Sequence, residues 1–211
     1  MDAKVQAVLD AYQERMDSET EQWRSGSLAG GIGRHADQML LAVGPAAGQL
    51  MNILVHGLSA PRILELGTSY GYSAIWLAEA ARATGGRVTT VEKQDYKAAY
   101  ARDMAAKAGL GDHIDFKVGD AVRVIGECAF SFDFVLVDLW KDLYVACLEA
   151  FYPKLNPGAI LVADNMIRPG GEDVARYAKA VRAKPHMSSV LLPVGQGLEI
   201  SRYEVSPAVN P

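Results

Sequence analysis

The chain has 211 residues, 50% hydrophobic and 22% charged, with 21 Lys and Arg against 25 Asp and Glu for a formal net charge of -4. That length supplies the core of one domain and is short for two, and the composition excludes a disordered or fibrous chain. The acidic balance argues against tracking nucleic acid with a basic surface, and two cysteines, Cys128 and Cys147, are too few for a disulfide framework or a zinc cluster. The start, Met1-Asp2-Ala3-Lys4, leads into no apolar segment of the signal-peptide kind. Unbroken apolar runs reach only about five residues, far below a membrane span. A reducing, cytoplasmic setting is the expectation.

Residues 3–16 set Val5, Val8, Leu9 and Tyr12 at helical spacing, which predicts an amphipathic helix. Residues 18–34 turn polar and then glycine-rich, with Ser25-Gly26-Ser27 and Gly30-Gly31-Ile32-Gly33, and read as a loop or lid-like segment; simple slack is the alternative. A helix is expected over 44–58, with Pro45 in its first turn and Gly57 at its end. Strand and helix then alternate. Strands are predicted over 62–66, 87–91, 114–118, 132–137 and 159–163, and helices over 72–84, 96–108, 143–152 and 172–184. Pro157-Gly158 reads as a turn, and 189–194 and 198–204 read as a hairpin around Gly195-Gln196-Gly197. The expected fold is α/β: one domain over 1–211, with residues 1–40 as N-terminal helix and lid-like segment. Its sheet is mostly parallel with helices on both faces and a C-terminal antiparallel hairpin.

Ligands of open α/β sheets bind beyond the carboxyl ends of the strands. Four such ends here carry Glu65-Leu66-Gly67, Glu92, Asp138 and Asp164-Asn165. The segment from Gly67 to Gly71 lacks the second glycine of a dinucleotide fingerprint and has no Walker lysine, which weakens an NAD-linked reading. A loop opening a helix beside an acidic residue suits a positively charged nucleoside better than a pyrophosphate. Glu92, 25 residues after Gly67, stands where an acid accepts hydrogen bonds from ribose. Asp138, Asp164 and Asn165 offer hard oxygen ligands that suit Mg²⁺ better than zinc. Lys141, three residues after Asp138, is near enough to act as a base on a substrate held there. Each feature alone is also an ordinary capping acid or surface pair.

Together these motifs resemble the cation-dependent, S-adenosylmethionine-dependent O-methyltransferases, the catechol and caffeoyl-CoA O-methyltransferase group. Leu64-Glu65-Leu66-Gly67 with Gly71-Tyr72-Ser73 matches that family's first motif, and Val91-Glu92 its ribose-binding strand end. The stretch from Val137 to Tyr144 resembles the metal and base motif, and Leu161 to Gly170 the second metal motif. Val43-Gly44 with Gly48-Gln49 also fits, and the similarity runs from about residue 40 to 204. The resemblance implies a Rossmann-like methyltransferase sheet with S-adenosylmethionine and Mg²⁺ as cofactors. By it, Asp138, Asp164 and Asn165 bind the metal and Lys141 is the general base. Val43, Gly67 and Ser73 line the methionine end of the cofactor, which Glu65, Tyr72 and Asp138 also contact. Glu92 holds the ribose, and Asp120 and Ala121 lie near the adenine. Trp140 and Pro169 wall an aromatic substrate that Lys141 and Asn165 also meet. Three positions depart from the catechol enzymes: Leu192 in place of a glutamate, Leu139 of a histidine, and Ala42 of an asparagine.

The implied reaction is O-methylation of one hydroxyl of a small aromatic vicinal diol, with a homodimer compatible and neither membrane nor nucleic acid expected. Two other readings stay open: methylation of a hydroxylated RNA base, and a non-catalytic nucleotide-binding α/β protein. The histidines His35, His56, His113 and His186 are dispersed and flank no nucleophile, so a hydrolase triad has no support. Both cysteines read as incidental thiols.

Overall fold

The computed structural model describes residues 1–25 and 37–204. Helix α1 (Ala3–Arg24) is capped by Asp2, whose carboxylate accepts hydrogen bonds from the Lys4 and Val5 amides at 3.0 Å each. It runs past residue 16, so the loop expected from residue 18 does not begin there. Residues 17–24 contain no glycine or proline, and i,i+4 pairs from Gln13 to Asp17 and from Arg15 to Glu19 carry the helix on. The glycine cluster at 26–34 lies outside the described residues.

Helix α2 (Pro45–His56) precedes a regular alternation of β1 (Arg62–Leu66), α3 (Tyr72–Thr84), β2 (Arg87–Glu92), α4 (Asp95–Lys107), β3 (Ile114–Val118), α5 (Ala121–Glu127), β4 (Phe132–Val137), α6 (Tyr144–Phe151), β5 (Leu155–Ala163) and α7 (Glu172–Ala183). The strands β6 (Met187–Leu192) and β7 (Leu198–Tyr203) close the chain. Sheet order is β3-β2-β1-β4-β5-β7-β6, parallel through β5 and antiparallel for β7 and β6. This is a mostly parallel, Rossmann-like sheet with an antiparallel C-terminal edge. Two predictions need correction. Helix α5, short and capped by Asp120, had no expected counterpart. Pro157-Gly158 makes no chain reversal: β5 starts at Leu155, and its register against β4 shifts between Phe132 and Phe134.

Strand residues alternate between the two helical layers, as a pleated sheet requires. Ile63, Val88, Phe134, Leu136, Ile160 and Val162 pack with α1, α2 and α3. Leu64, Leu66, Val135, Val137, Leu161 and Ala163 pack with α5, α6 and α7. Burial of both faces explains why these strands read as apolar runs. Among the described residues, no helix is long and apolar enough to cross a membrane.

At the antiparallel edge, the fully buried Glu199 carboxylate accepts two hydrogen bonds from half-exposed Arg182, at 2.7 and 2.9 Å. Truncating the arginine strands that carboxylate. Arg182→Ala is expected to cost about 2 kcal/mol, a loss of roughly 4–8 °C in Tm for a chain of this size. Adding Glu199→Gln should restore most of it; thermal melts of the single and double variants check this.

Candidate active site

The strand order reverses between β2-β1 and β4-β5, so the crevice opens where β1 and β4 end. Backbone bonds bring those ends level: the Asp138 amide donates to Leu66 O at 2.9 Å and the Asp164 amide to Val137 O at 3.1 Å. Gly67 is pressed against Asp138. A Cβ there would stand 2.1 Å from the Asp138 carbonyl oxygen, and φ is +100°. Only glycine fits both the torsion and the approach.

Two carboxylates, Asp138 and Asp164, and the Asn165 carboxamide converge on this edge with Lys141. Lys141 Nζ donates to Asp138 Oδ1 (3.2 Å), Leu139 O (3.0 Å), Tyr144 OH (2.8 Å) and Asn165 Oδ1 (2.5 Å). Asp164 is 1% exposed, and its Oδ1 is buried without a hydrogen-bond partner. Burial, reinforced by the Asp138 charge, pushes the Asp164 carboxyl up to about 7. Burial also raises the Asp138 carboxyl, opposed by Lys141. Asn165 takes the left-handed conformation at φ +62°, which asparagine tolerates better than most residues. Its Nδ2 donates to Arg168 O at 3.3 Å, leaving Oδ1 turned to Lys141. These oxygens suit a hard cation: an unpartnered carboxylate oxygen of Asp164 lies near one carboxylate and one carboxamide oxygen, of Asp138 and Asn165, already drawn to a positive charge. Groups of three or more His, Cys, Asp or Glu suited to a metal are absent among the described residues.

Glu65 sits deeper, fully buried on β1. Thr90 Oγ1 donates to its Oε2, and Thr68 Oγ1 lies 2.5 Å from Thr90 Oγ1, so Thr68 donates in turn to Thr90. Its Oε1 is buried with no partner. The sequence reading missed Thr68 and Thr90; its available signal was hydroxyls interrupting the apolar strand Val88-Thr89-Thr90-Val91. Burial pushes the Glu65 carboxyl up to about 7 from its ordinary 4.5, against the Ser73 and Thr90 hydrogen bonds and with the charges of Asp138 and Glu92 adding. The proton therefore stabilises the native state. This contribution is complete below about pH 4.5 and is lost as pH rises through about 7. Denaturant unfolding of the ligand-free protein should show stability falling between about pH 5 and 8, and Glu65→Gln should make that fall shallower by about 3 kcal/mol. An unaltered slope would remove Glu65 as its source.

At the end of β2, Glu92 accepts hydrogen bonds from the Ser69 amide (2.8 Å) and the Gln94 amide (3.0 Å), which fix its carboxylate beside the Gly67 loop. Asp120 accepts from the Arg123 amide at 2.9 Å and caps α5, with Ala121 buried behind it. Val43 and Ser73 are buried. The Tyr72 ring is a core contact, edge-on to Tyr12 at 5.6 Å and to Trp76 at 6.5 Å. Trp140 is 62% exposed, so it is no core aromatic, and Pro169 is exposed after a cis peptide bond. The loop carrying Pro169 is pinned to the hairpin turn, the Ile167 and Arg168 amides both donating to Gln196 O. Leu192 pairs with Leu198 across the hairpin. Burial raises both thiols, Cys147 to about 12, in keeping with unreactive cysteines.

Similarity to known proteins runs the same way. The Catechol O-methyltransferase of Mycobacterium tuberculosis is 37% identical over 132 residues, 62% of this chain and 60% of that protein. The Mus musculus Catechol O-methyltransferase is 32% identical over 180 residues, 80% of this chain and 67% of that one. The chain thus spans about 60% of the length of the mycobacterial relative. An O-methyltransferase from Bacillus cereus, solved in complex with SAH, has a TM-score of 0.74 at 25% identity and covers 97% of this chain and 92% of its own. The O-methyltransferase family profile matches residues 32–203, from ahead of the β1 crevice through the last strand, and the chain belongs to that family.

Proposed function

We propose that this chain transfers a methyl group from S-adenosylmethionine to one hydroxyl of a small aromatic vicinal diol, with a divalent cation, Mg²⁺ by ligand chemistry, in the site. The observation that carries this reading is the meeting of Asp138, Asp164, Asn165 and Lys141 at two neighbouring strand ends, against the Gly67 loop. Four carboxylates, Glu65, Glu92, Asp138 and Asp164, line this edge beside the cation Lys141. That excess of negative charge favours a sulfonium, an ammonium and a metal ion over a phosphorylated ligand.

S-adenosylmethionine supplies an electrophilic methyl, and a bound divalent ion supplies charge that favours the anionic form of a chelated hydroxyl. The chain does the rest by alignment. Gly67 leaves room for the cofactor backbone, Glu92 offers its remaining lone pairs to ribose hydroxyls, and Asp120 and Ala121 border the adenine. Asp138, Asp164 and Asn165 would hold the ion. Lys141, as the neutral amine, accepts the substrate proton at Nζ. Exposed Trp140 and Pro169 offer apolar walls to an aromatic ring. Leu192 in place of an acid removes one hydroxyl partner and favours a less polar ring.

The test is transfer of label from S-adenosylmethionine to a panel of catechols, with Mg²⁺ and with EDTA. Label transfer that disappears in EDTA is the expected result. Tight cofactor binding without transfer to any catechol would overturn the substrate assignment, and full activity in EDTA would overturn the metal.

A further inference from the structure

Resting on the metal reading above, one arrangement goes beyond it. Lys141 Nζ has four acceptors within 3.2 Å but only three N–H bonds to give. Two of those acceptors, Asp138 Oδ1 and Asn165 Oδ1, belong to the proposed metal set. An ammonium and a divalent ion cannot share them: the two charges repel strongly at contact distance. The other two acceptors, Leu139 O and Tyr144 OH, lie outside that set. The Tyr144 hydroxyl hydrogen goes to Asp164 O at 3.1 Å, so a lone pair faces Lys141. The ring lies 4.9 Å from Nζ and is fully buried, edge-on to Tyr177 at 5.4 Å, so it cannot follow the ammonium. Tyr144 therefore offers a fixed second berth.

We propose that Lys141 is a tethered counter-cation of the metal-free site, that a divalent ion displaces it from Asp138 and Asn165, and that Tyr144 is the positioning residue that then retains it. Metal-free, the lysine balances two buried carboxylates that would otherwise repel each other. Metal-loaded, it keeps Leu139 O and Tyr144 OH and stays beside the reacting hydroxyl. Tyr144 supplies one of four acceptors before displacement and one of two after it, so its hydroxyl matters more to the loaded state. Losing it weakens metal uptake, and only while Lys141 is present.

The experiment is a titration of the full chain with Mn²⁺ alone, free of cofactor and substrate, read by electron paramagnetic resonance and calorimetry. It compares wild type, Lys141→Met, Tyr144→Phe and the double variant, each checked for fold by near-ultraviolet circular dichroism, with Lys141→Gln in reserve should the methionine variant misfold. Lys141→Met is expected to bind Mn²⁺ about tenfold more tightly than wild type or better. Tyr144→Phe should bind it several-fold more weakly, and that effect should vanish in the Lys141→Met background. Affinity unchanged or weakened by Lys141→Met would overturn the displacement, while an equal Tyr144→Phe effect in both backgrounds would overturn the role of Tyr144. No uptake of Mn²⁺ by wild type or by Lys141→Met would overturn the metal reading itself, and this inference with it.

Discussion

Lys141→Ala is expected to lower kcat about a thousandfold, the scale of a lost general base, while the Kd for S-adenosylmethionine stays within about twofold. The separation follows from the hydrogen bonds. Lys141 reaches Asp138, Leu139, Tyr144 and Asn165, all on the β4 and β5 side of the crevice. Glu92 is held by the Ser69 and Gln94 amides and Glu65 by Thr90, with no part played by the lysine. Single-turnover transfer beside calorimetric cofactor binding checks both halves. Undiminished turnover would remove Lys141 as the base, and a matching loss of cofactor affinity would make it a structural residue.

Asp164→Asn should act in opposite directions on function and stability. Its carboxylate is almost wholly buried, with one oxygen lacking any partner, so at pH 8 the ionised group costs the ligand-free protein free energy. Replacing the charge with a neutral carboxamide removes that cost. The expected gain is about 1 kcal/mol at pH 8, roughly 2–4 °C in Tm, and it shrinks as the pH falls below about 7 and the wild-type carboxyl takes up its proton. The same substitution should reduce metal-dependent turnover about a thousandfold, because a ligand charge is lost. A variant that is both less stable and fully active would contradict each half; melting curves at two pH values and a steady-state assay decide it. Such opposition marks a residue kept for chemistry rather than folding.

The parallel strands were legible because burial on both faces makes them nearly uninterrupted apolar runs. β1, β3 and β4 have the bounds that pattern suggests, and the acidic residues expected at strand ends stand at one edge. Helix α5 was not legible, since its seven residues hold barely two turns and carry no long apolar stripe. The tail of α1 is polar apart from exposed Trp23, so its helicity depends on pairs such as Arg15–Glu19 and on Glu19 accepting from the Leu40 amide, which lies far along the chain. Pro157-Gly158 carries the signature of a turn, and it lies in the unpaired excess of β5 between Leu155 and Ile160, with Gly158 at φ +84°, so the chain bulges there and runs on in the same strand. The sequence suggested a lysine near the metal set. It did not show an ammonium lodged between Asp138 and Asn165, because that depends on where α6 puts the Tyr144 hydroxyl.

The loop carrying Pro169 hangs on the hairpin turn through Gln196, whereas the acidic edge and Lys141 stand at the ends of the parallel strands. In the proposed reaction one substrate wall, Pro169, thereby rests on the hairpin, while the other, Trp140, stands beside Lys141 after β4. Changes in the β6–β7 appendage can reshape the rim met by an incoming ring without disturbing the register that aligns Gly67 with Asp138. Under the proposed reaction, drift at that sheet margin can change which acceptors are taken while the strand ends that would hold cofactor and metal stay as they are, so libraries seeking altered selectivity can begin there.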